Sequence, residues 1–279
     1  MPTPFSARLV RDDDHATFAR FFAELRVPEE TPAFERWRSL MAPTSFFLER
    51  DGVPVGYAWY ELFGGDGYVR HVVADPSLRR AGVGRALMRE LARRFRAAGC
   101  TRWRLNVKSD NAAAIALYRA SGMDVEYPTA VLRFPWSALA SLPRPANTIE
   151  ARAAAPERDA RLEAAFGLPR GRLASARTIA GARVLELVDH HDASNPKVGV
   201  ACFDPAFPGC FPFKVARPEF ASALLAELRA SSPSDVPWIQ LVVEDDVPLA
   251  KLFVALGGTL LFEVLHFSGP LPGDRELSA

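Results

Sequence analysis

The feature that most constrains the fold is a repeat in register. Leu105-Asn106-Val107 lines up with Leu241-Val242-Val243 at an offset of 136 residues. The same offset pairs Asp110 with Asp246, Ala114 with Ala250 and Gly122 with Gly258. An offset of 137 pairs Leu87, Glu90 and Leu91 with Leu224, Glu227 and Leu228. Two adjacent elements repeating at nearly one offset predict a duplicated unit. A chain of 279 residues has room for two domains, at roughly 100–200 residues each. Hydrophobic content of 49% and charged content of 24% exclude a disordered or fibrous chain.

Each half reads as mixed α/β. In the first, Asp12-Asp13-Asp14 offers N-caps to a helix through Phe18, Phe21, Phe22 and Leu25. Pro28 and Pro32 separate it from a second helix around Phe34, Trp37 and Leu40. Strands follow at 45–50, 53–62 and 68–74, with Asp51-Gly52 as a hairpin turn. Val83, Leu87, Met88, Leu91 and Phe95 form the apolar stripe of a long helix closed by Gly99. A strand at 103–107, a helix at 111–120 stopped by Gly122, and strands near 123–125 and 130–134 complete the half. Pro135, Pro143 and Pro145 mark a linker over 137–147. The second half, 148–279, repeats the grammar: helix 157–166, strands 184–188, 198–203 and 211–215, helix 219–230, strand 238–243, helix 247–256, strand 260–266.

The formal net charge of +1 gives no sequence-independent grip on nucleic acid. The apolar run 252–262 is too short to span a membrane. Met1-Pro2-Thr3-Pro4 leads to Arg8 and Arg11 with no apolar leader. Cys100, Cys202 and Cys210 lack paired or metal-ligand spacing and read as buried thiols, which predicts a cytoplasmic protein. His190-His191-Asp192 lies in a polar loop with no third spaced ligand, so no metal is expected. Arg85, Arg89, Arg93, Arg94 and Arg96 read as the wet face of their helix.

Arg79-Arg80-Ala81-Gly82-Val83-Gly84 sits after a strand and opens a helix. A helix N-terminus leaves backbone N–H groups unpaired and favours negative charge. Gly82 and Gly84 let an anion approach, and the arginines add donors. Leu87 stands where a dinucleotide fingerprint has its third glycine, and no Gly-Lys-Ser/Thr follows. The second motif is Asn111…Ala114…Leu117-Tyr118…Gly122. Arg79-x-x-Gly82-x-Gly84 together with this later motif resembles the GNAT superfamily of acyl-CoA-dependent N-acyltransferases. The resemblance covers residues 5–134 well and the second half faintly, as in tandem GNAT proteins.

The resemblance implies two tandem GNAT-like domains, 1–136 and 148–279, each a mixed, splayed β-sheet flanked by helices. It implies acetyl-CoA as co-substrate, bound by Val72, Val73, Ala74, Arg79, Arg80, Ala81, Gly82, Val83, Gly84, Arg85, Asn111 and Ala114. It implies direct attack of an uncharged amine on the thioester, with Tyr118 protonating the leaving thiolate. Asn111 reads equally as a helix cap. For the base, Glu61, Asp66, His71, Asp75 and a water relay stay open. Asn106 stands where many members carry Glu. The acceptor is a small-molecule or protein amine, and Tyr57, Trp59, Tyr60 and Phe63 are candidates to line its pocket. A non-catalytic acyl-CoA sensor is the alternative, and oligomeric state is not fixed. In the second half, offset 137 puts Ala216, Glu219 and Ala221 at the positions of Arg79, Gly82 and Gly84. Offset 136 puts Val247 and Val254 at those of Asn111 and Tyr118, so only the first half is expected to bind cofactor.

Overall fold

The computed structural model describes residues 5–27 and 29–273. The Met1-Pro2-Thr3-Pro4 start and the Pro28 break lie outside the described residues. Contacts divide these into a first unit, 5–126 with 267–273, and a second, 127–266.

The first unit contains β1 (Ser6–Leu9), α1 (His15–Ala23) and the short α2 (Phe34–Arg36), which runs on as a π turn over Trp37–Met41. Next come β2 (Ser45–Arg50), β3 (Val53–Phe63), β4 (Asp66–Ala74), α3 (Val83–Ala97), β5 (Arg102–Lys108) and α4 (Ala112–Ala120). Strands β1 to β4 are antiparallel neighbours, and β5 lies parallel to β4. Asp51 and Gly52 both have positive φ, which joins β2 to β3 through the tight hairpin that an Asp-Gly pair favours. Strand alternation gives the sheet two apolar faces. On one, Phe47, Tyr57 and Val73 pack with Phe18, Phe21 and Phe22 of α1 and with Trp37. On the other lies the buried stripe of α3: Val83, Ala86, Leu87, Met88, Leu91, Ala92 and Phe95. The chain's far end belongs to this unit as well. Leu271 N–H donates to Thr101 O at 2.8 Å, and Arg102 donates to Ser268 Oγ at 3.0 Å.

The second unit is built from the later part of β6 (Asp124–Pro135), then β7 (Ile149–Ala153), α5 (Asp159–Phe166), α6 (Arg172–Arg177), β8 (Arg183–Asp189) and β9 (Gly199–Asp204). It continues through β10 (Gly209–Val215), α7 (Ala221–Ser231), β11 (Trp238–Glu244), α8 (Val247–Ala255) and most of β12 (Thr259–Pro270). Here β10 and β11 are the parallel pair, and β6 joins β11 antiparallel. Strand β6 is continuous where the sequence suggested two strands. Residues 137–147, read as a linker, lie inside this unit. Leu142 is in its core with Leu139 packed against it, so apolar burial outweighs the proline punctuation. β7 and α6 are elements the sequence pattern did not announce.

Candidate functional site

In the first unit, parallel pairing of β4 with β5 runs from Asp66↔Arg102 to Val69↔Leu105 and stops. β4 continues to Ala74 and β5 to Lys108 without further pairing to each other. The divergence begins at a bulge, because Val69 faces Tyr60 and His71 faces Trp59, leaving Arg70 as the extra residue. The Arg70 guanidinium folds over the Tyr68 ring and pairs with Glu61. Beyond the bulge, Asp75 N–H donates to Val55 O at 2.9 Å. Strand alternation then turns Val73 toward β3 and the backbone groups of Val72 and Ala74 into the gap. The Val73 side chain is in the core.

A 3-10 turn, Pro76–Leu78, carries the chain from β4 into the loop 79–82. Gly82 is the N-cap of α3 at φ +85°, and no side chain caps the helix. The amides of the first turn therefore have no intrahelical acceptor. A Cβ on Gly82 would meet nothing within 4 Å, so the ground before these amides is open. Arg79, Arg80, Ala81 and Arg85 are exposed there. Gly84 has a different reason to be glycine. Its Cβ would lie 3.0 Å from Leu117 Cδ2, so it sets the approach of α4 to α3. The Val83 side chain is core, leaving only its backbone for a ligand.

Asn111 caps α4, its side-chain oxygen accepting from Ala114 N–H at 3.2 Å. Tyr118 sits on the last turn, 7% exposed, with its ring edge-on to Phe267 at 6.1 Å. Burial pushes its phenol up to about 12. Its carbonyl accepts from Ser121 N–H at 3.0 Å and Met123 N–H at 3.1 Å, and Gly122 at φ +81° closes the turn.

The carboxylates considered as bases are engaged. Glu61 pairs with Arg70, and Asp66 with Arg104 at 3.2 Å. Asp75 binds Arg20 at 2.8 Å and the Ser77 hydroxyl at 2.6 Å, and these hydrogen bonds hold it below the usual carboxylate range. His71 stands on the α1 face beside Trp59, Phe22 and Tyr57. Burial, aided by the neighbouring Arg70, pushes it down to about 3. Of the aromatic candidates for a pocket wall, Tyr57, Tyr60 and Phe63 are buried, and Trp59 is half-buried. Tyr57 is spent on a hydrogen bond to Ser45 at 2.8 Å.

The second unit diverges at the matching place, since β10–β11 pairing ends at Cys210↔Leu241 and a register shift follows in β10. Its contents differ. Pro218–Phe220 runs directly into α7 at Ala221, so the four residues 79–82 have no counterpart. The substitution of Arg79, Gly82 and Gly84 by Ala216, Glu219 and Ala221, read at offset 137, is therefore corrected to a missing loop. In the next helix the offset is 135. Asp246 caps α8 through Leu249 N–H at 2.9 Å, as Asn111 caps α4. Gly258 N–H donates to Phe253 O at 2.8 Å, as Met123 N–H does to Tyr118 O. The counterparts of Asn111 and Tyr118 are thus Asp246 and Phe253 rather than Val247 and Val254, because the turn entering α8 is one residue shorter. Phe253 packs on Phe213 at 6.0 Å, and Lys214 of β10 pairs with Glu244 of β11 at 3.3 Å, across the divergence.

A cavity of about 160 Å³ in the second unit is lined by Arg172, Ile179, Cys202, Phe207 and Phe211 among others. Burial pushes the Cys202 thiol up to about 11, so it is unreactive at neutral pH. His190 pairs with Glu150 at 3.0 Å, and among the described residues no group of three or more His, Cys, Asp or Glu could hold a metal. In α3, Arg93 and Arg94 pair with Glu90, and Arg94 also covers the Phe46 ring, so the arginine series is only partly a wet face. No described helix is long and apolar enough to cross a membrane.

Residues 11–123 match the model of the acetyltransferase (GNAT) family. Over 80 residues the chain is 31% identical to the ribosomal protein bS18-alanine N-acetyltransferase of Escherichia coli K12, covering 29% of this chain and 54% of the relative. The chain thus spans about half the length of the curated relatives it matches. The GCN5-related N-acetyltransferase of Sphaerobacter thermophilus is similar in structure, with a TM-score of 0.66 at 20% identity over 98% of each chain. A tandem GNAT protein from the clavulanic acid biosynthesis pathway gives 0.60 at 17% identity, over 96% of this chain and 99% of that one. These structural likenesses carry the fold: two tandem GNAT units.

Proposed function

We propose, from the match of residues 11–123 to the acetyltransferase (GNAT) family model, that the first unit transfers an acetyl group from acetyl-CoA to a primary amine within a ternary complex. The observation that carries this is the opening between β4 and β5, with the uncapped first turn of α3 beside it. The pantetheine arm would pair with Val72 and Ala74 as an added strand. The amides of 82–85 would hold the pyrophosphate, with Arg79, Arg80 and Arg85 as charged donors. Ala81, Val83, Gly84 and Ala114 would contribute through backbone and shape, and Asn111 through its cap.

The amine lone pair attacks the thioester carbonyl carbon, the C–N bond forms and the C–S bond breaks. Tyr118 donates its hydrogen bond to the departing sulfur. With Glu61, Asp66 and Asp75 engaged in ion pairs, the nitrogen gives its proton to water. The second unit has a structural role, its divergence filled by Phe213 and Phe253 and bridged by Lys214–Glu244. The acceptor is a small-molecule or protein amine. The bS18-alanine relative acts on a protein α-amine, which favours including peptide N-termini among the trial acceptors. The test is thiol release from acetyl-CoA with a panel of amines. Tight acetyl-CoA binding with no turnover on any amine would replace the enzyme with an acyl-CoA sensor.

A further inference from the structure

The cavity of about 160 Å³ in the second unit is not a copy of the transfer site. In the first unit Tyr60, Val69 and Leu105 face one another across β3, β4 and β5. Phe203, Cys210 and Leu241 do so across β9, β10 and β11. Matching these rows puts Cys202 where Trp59 stands, Asp204 at Glu61, Phe211 at Arg70 and Gln240 at Arg104. The first unit fills these positions with an indole, the Arg70–Glu61 pair and the Arg104–Asp66 pair. In the second the indole has become a thiol and neither guanidinium is kept, and Cys202, Asp204, Phe211 and Gln240 all line the open space. The other side of the cavity is α6 and the chain after it, where Ala176, Ile179 and Ala182 form apolar walls.

Size and wall chemistry define what fits. A dry cavity of about 150 Å³ accepts a benzene ring, so this one holds a single ring. Arg172, at the start of α6, brings a charge to the wall while only 8% exposed. Its guanidinium lies over the Phe211 ring at 5.0 Å and donates to Phe211 O at 2.7 Å. That bond uses one N–H of the five a guanidinium carries. Gln240, also buried, adds an amide. The carboxylates of α5 are directed elsewhere. Glu163 accepts from Gly171 N–H at 2.9 Å and Leu173 N–H at 2.8 Å, and Asp159 pairs with Arg177 at 2.8 Å. Asp204 is on the wall, and its Oδ1 accepts from Ala206 N–H at 3.0 Å. A buried cation beside apolar walls favours an anion that hydrogen-bonds to it.

We propose that the second unit binds a small aromatic carboxylate in this cavity, its ring against Ile179, Phe207 and Phe211 and its carboxylate on Arg172 and the Gln240 amide. The ligand is held and not acetylated. A carboxylate has no amine to acylate, and the unit lacks a counterpart of the loop 79–82. Binding here is independent of the transfer reading: the second unit gains a ligand beside its structural role, whether or not the first unit turns over acetyl-CoA.

The experiment uses the full chain and three probes of one shape: benzoate, benzamide and benzamidine, which are negative, neutral and positive at pH 7. Calorimetry should give a Kd for benzoate of about 1 mM or tighter, as a ligand of about nine heavy atoms allows. Benzamide and benzamidine should bind about 10-fold more weakly or worse. In the unmutated protein the bound ring should shift the Ile179 methyl NMR signal, with those of Ile115 and Ile149 unmoved. Arg172→Met should bring benzoate down to the level of benzamide. Ala182→Leu fills the space from a half-buried position, and Cys202→Trp restores the side chain of the first unit's matching position. Each should weaken benzoate by about 10-fold or more. Benzoate binding weaker than about 1 mM, equal binding of the three probes, preference for benzamidine through Asp204, or benzoate binding that leaves Ile179 unmoved overturns the proposal. So does unchanged benzoate affinity in folded Arg172→Met or folded Ala182→Leu. The probe series and the Ile179 signal need no variant, so they decide the matter where a variant does not fold.

Discussion

Replacing Tyr118 by Phe removes one oxygen from a dry site, and the structure sets the size of the effect. Burial pushes the phenol from 10 to about 12. A free thiol has a reference value near 8.5, so complete proton transfer from Tyr118 to a thiolate would be uphill by about 3.5 units, or about 5 kcal/mol. The hydroxyl therefore contributes a hydrogen bond to the developing charge. Such bonds to charged groups are worth about 1.5–3 kcal/mol. Removing one should lower kcat by about 10- to 150-fold, at or below the lower end of the 10²–10⁴ range of a full general acid. Acetyl-CoA affinity should hold. Stability should hold as well, since a buried hydroxyl replaced by hydrogen leaves no new unmatched group. The assay is kcat at saturating acetyl-CoA from pH 7 to 10, with thermal unfolding as control. The wild type should show no alkaline decline owing to Tyr118, because its titration lies higher. Wild-type kcat in folded Tyr118→Phe, or an alkaline limb near pH 9 that disappears in the variant, would refute the reasoning.

Arg79→Ala combined with Arg80→Ala removes two exposed guanidinium groups beside the uncapped helix. Acetyl-CoA affinity should fall by about 10- to 100-fold by calorimetry, with Tm unchanged; equal affinity would detach the loop from the pyrophosphate. Titration of the full chain should give one acetyl-CoA per chain, and two would restore a site to the second unit. His71 binds its proton at about 3 when folded, against 6.5 when free, so between these values the unfolded chain holds the extra proton. Stability should therefore fall as pH drops below 6.5, by at most about 1.4 kcal/mol per pH unit from this residue. Urea unfolding at pH 6.5 and 4.5 should show a shallower loss in His71→Phe, and identical slopes would contradict the burial argument.

Much of the fold was written locally. The Asp51-Gly52 hairpin, the apolar stripe of α3, the glycine opening that helix and the closing Gly122 follow from periodicity, φ preference and capping, which neighbouring residues decide among themselves. The duplication was legible too, because β5 and β11 keep one spacing. What the sequence could not carry was anything set by residues far apart. The missing loop before α7 and the one-residue shortening before α8 emerge only when capping and closing hydrogen bonds are matched, which moves the Tyr118 counterpart to Phe253. The inclusion of residues 267–273 in the first unit depends on strand pairing with a segment more than 150 residues away. Glu61, Asp66 and Asp75 read as available carboxylates until tertiary folding brings Arg70, Arg104 and Arg20 against them. His71 reads as an ordinary histidine until the rings of Phe22, Tyr57 and Trp59 close around it. Periodicity and turn chemistry act within a few residues, whereas charge pairing, desolvation and strand partnership depend on which distant side chains burial brings together.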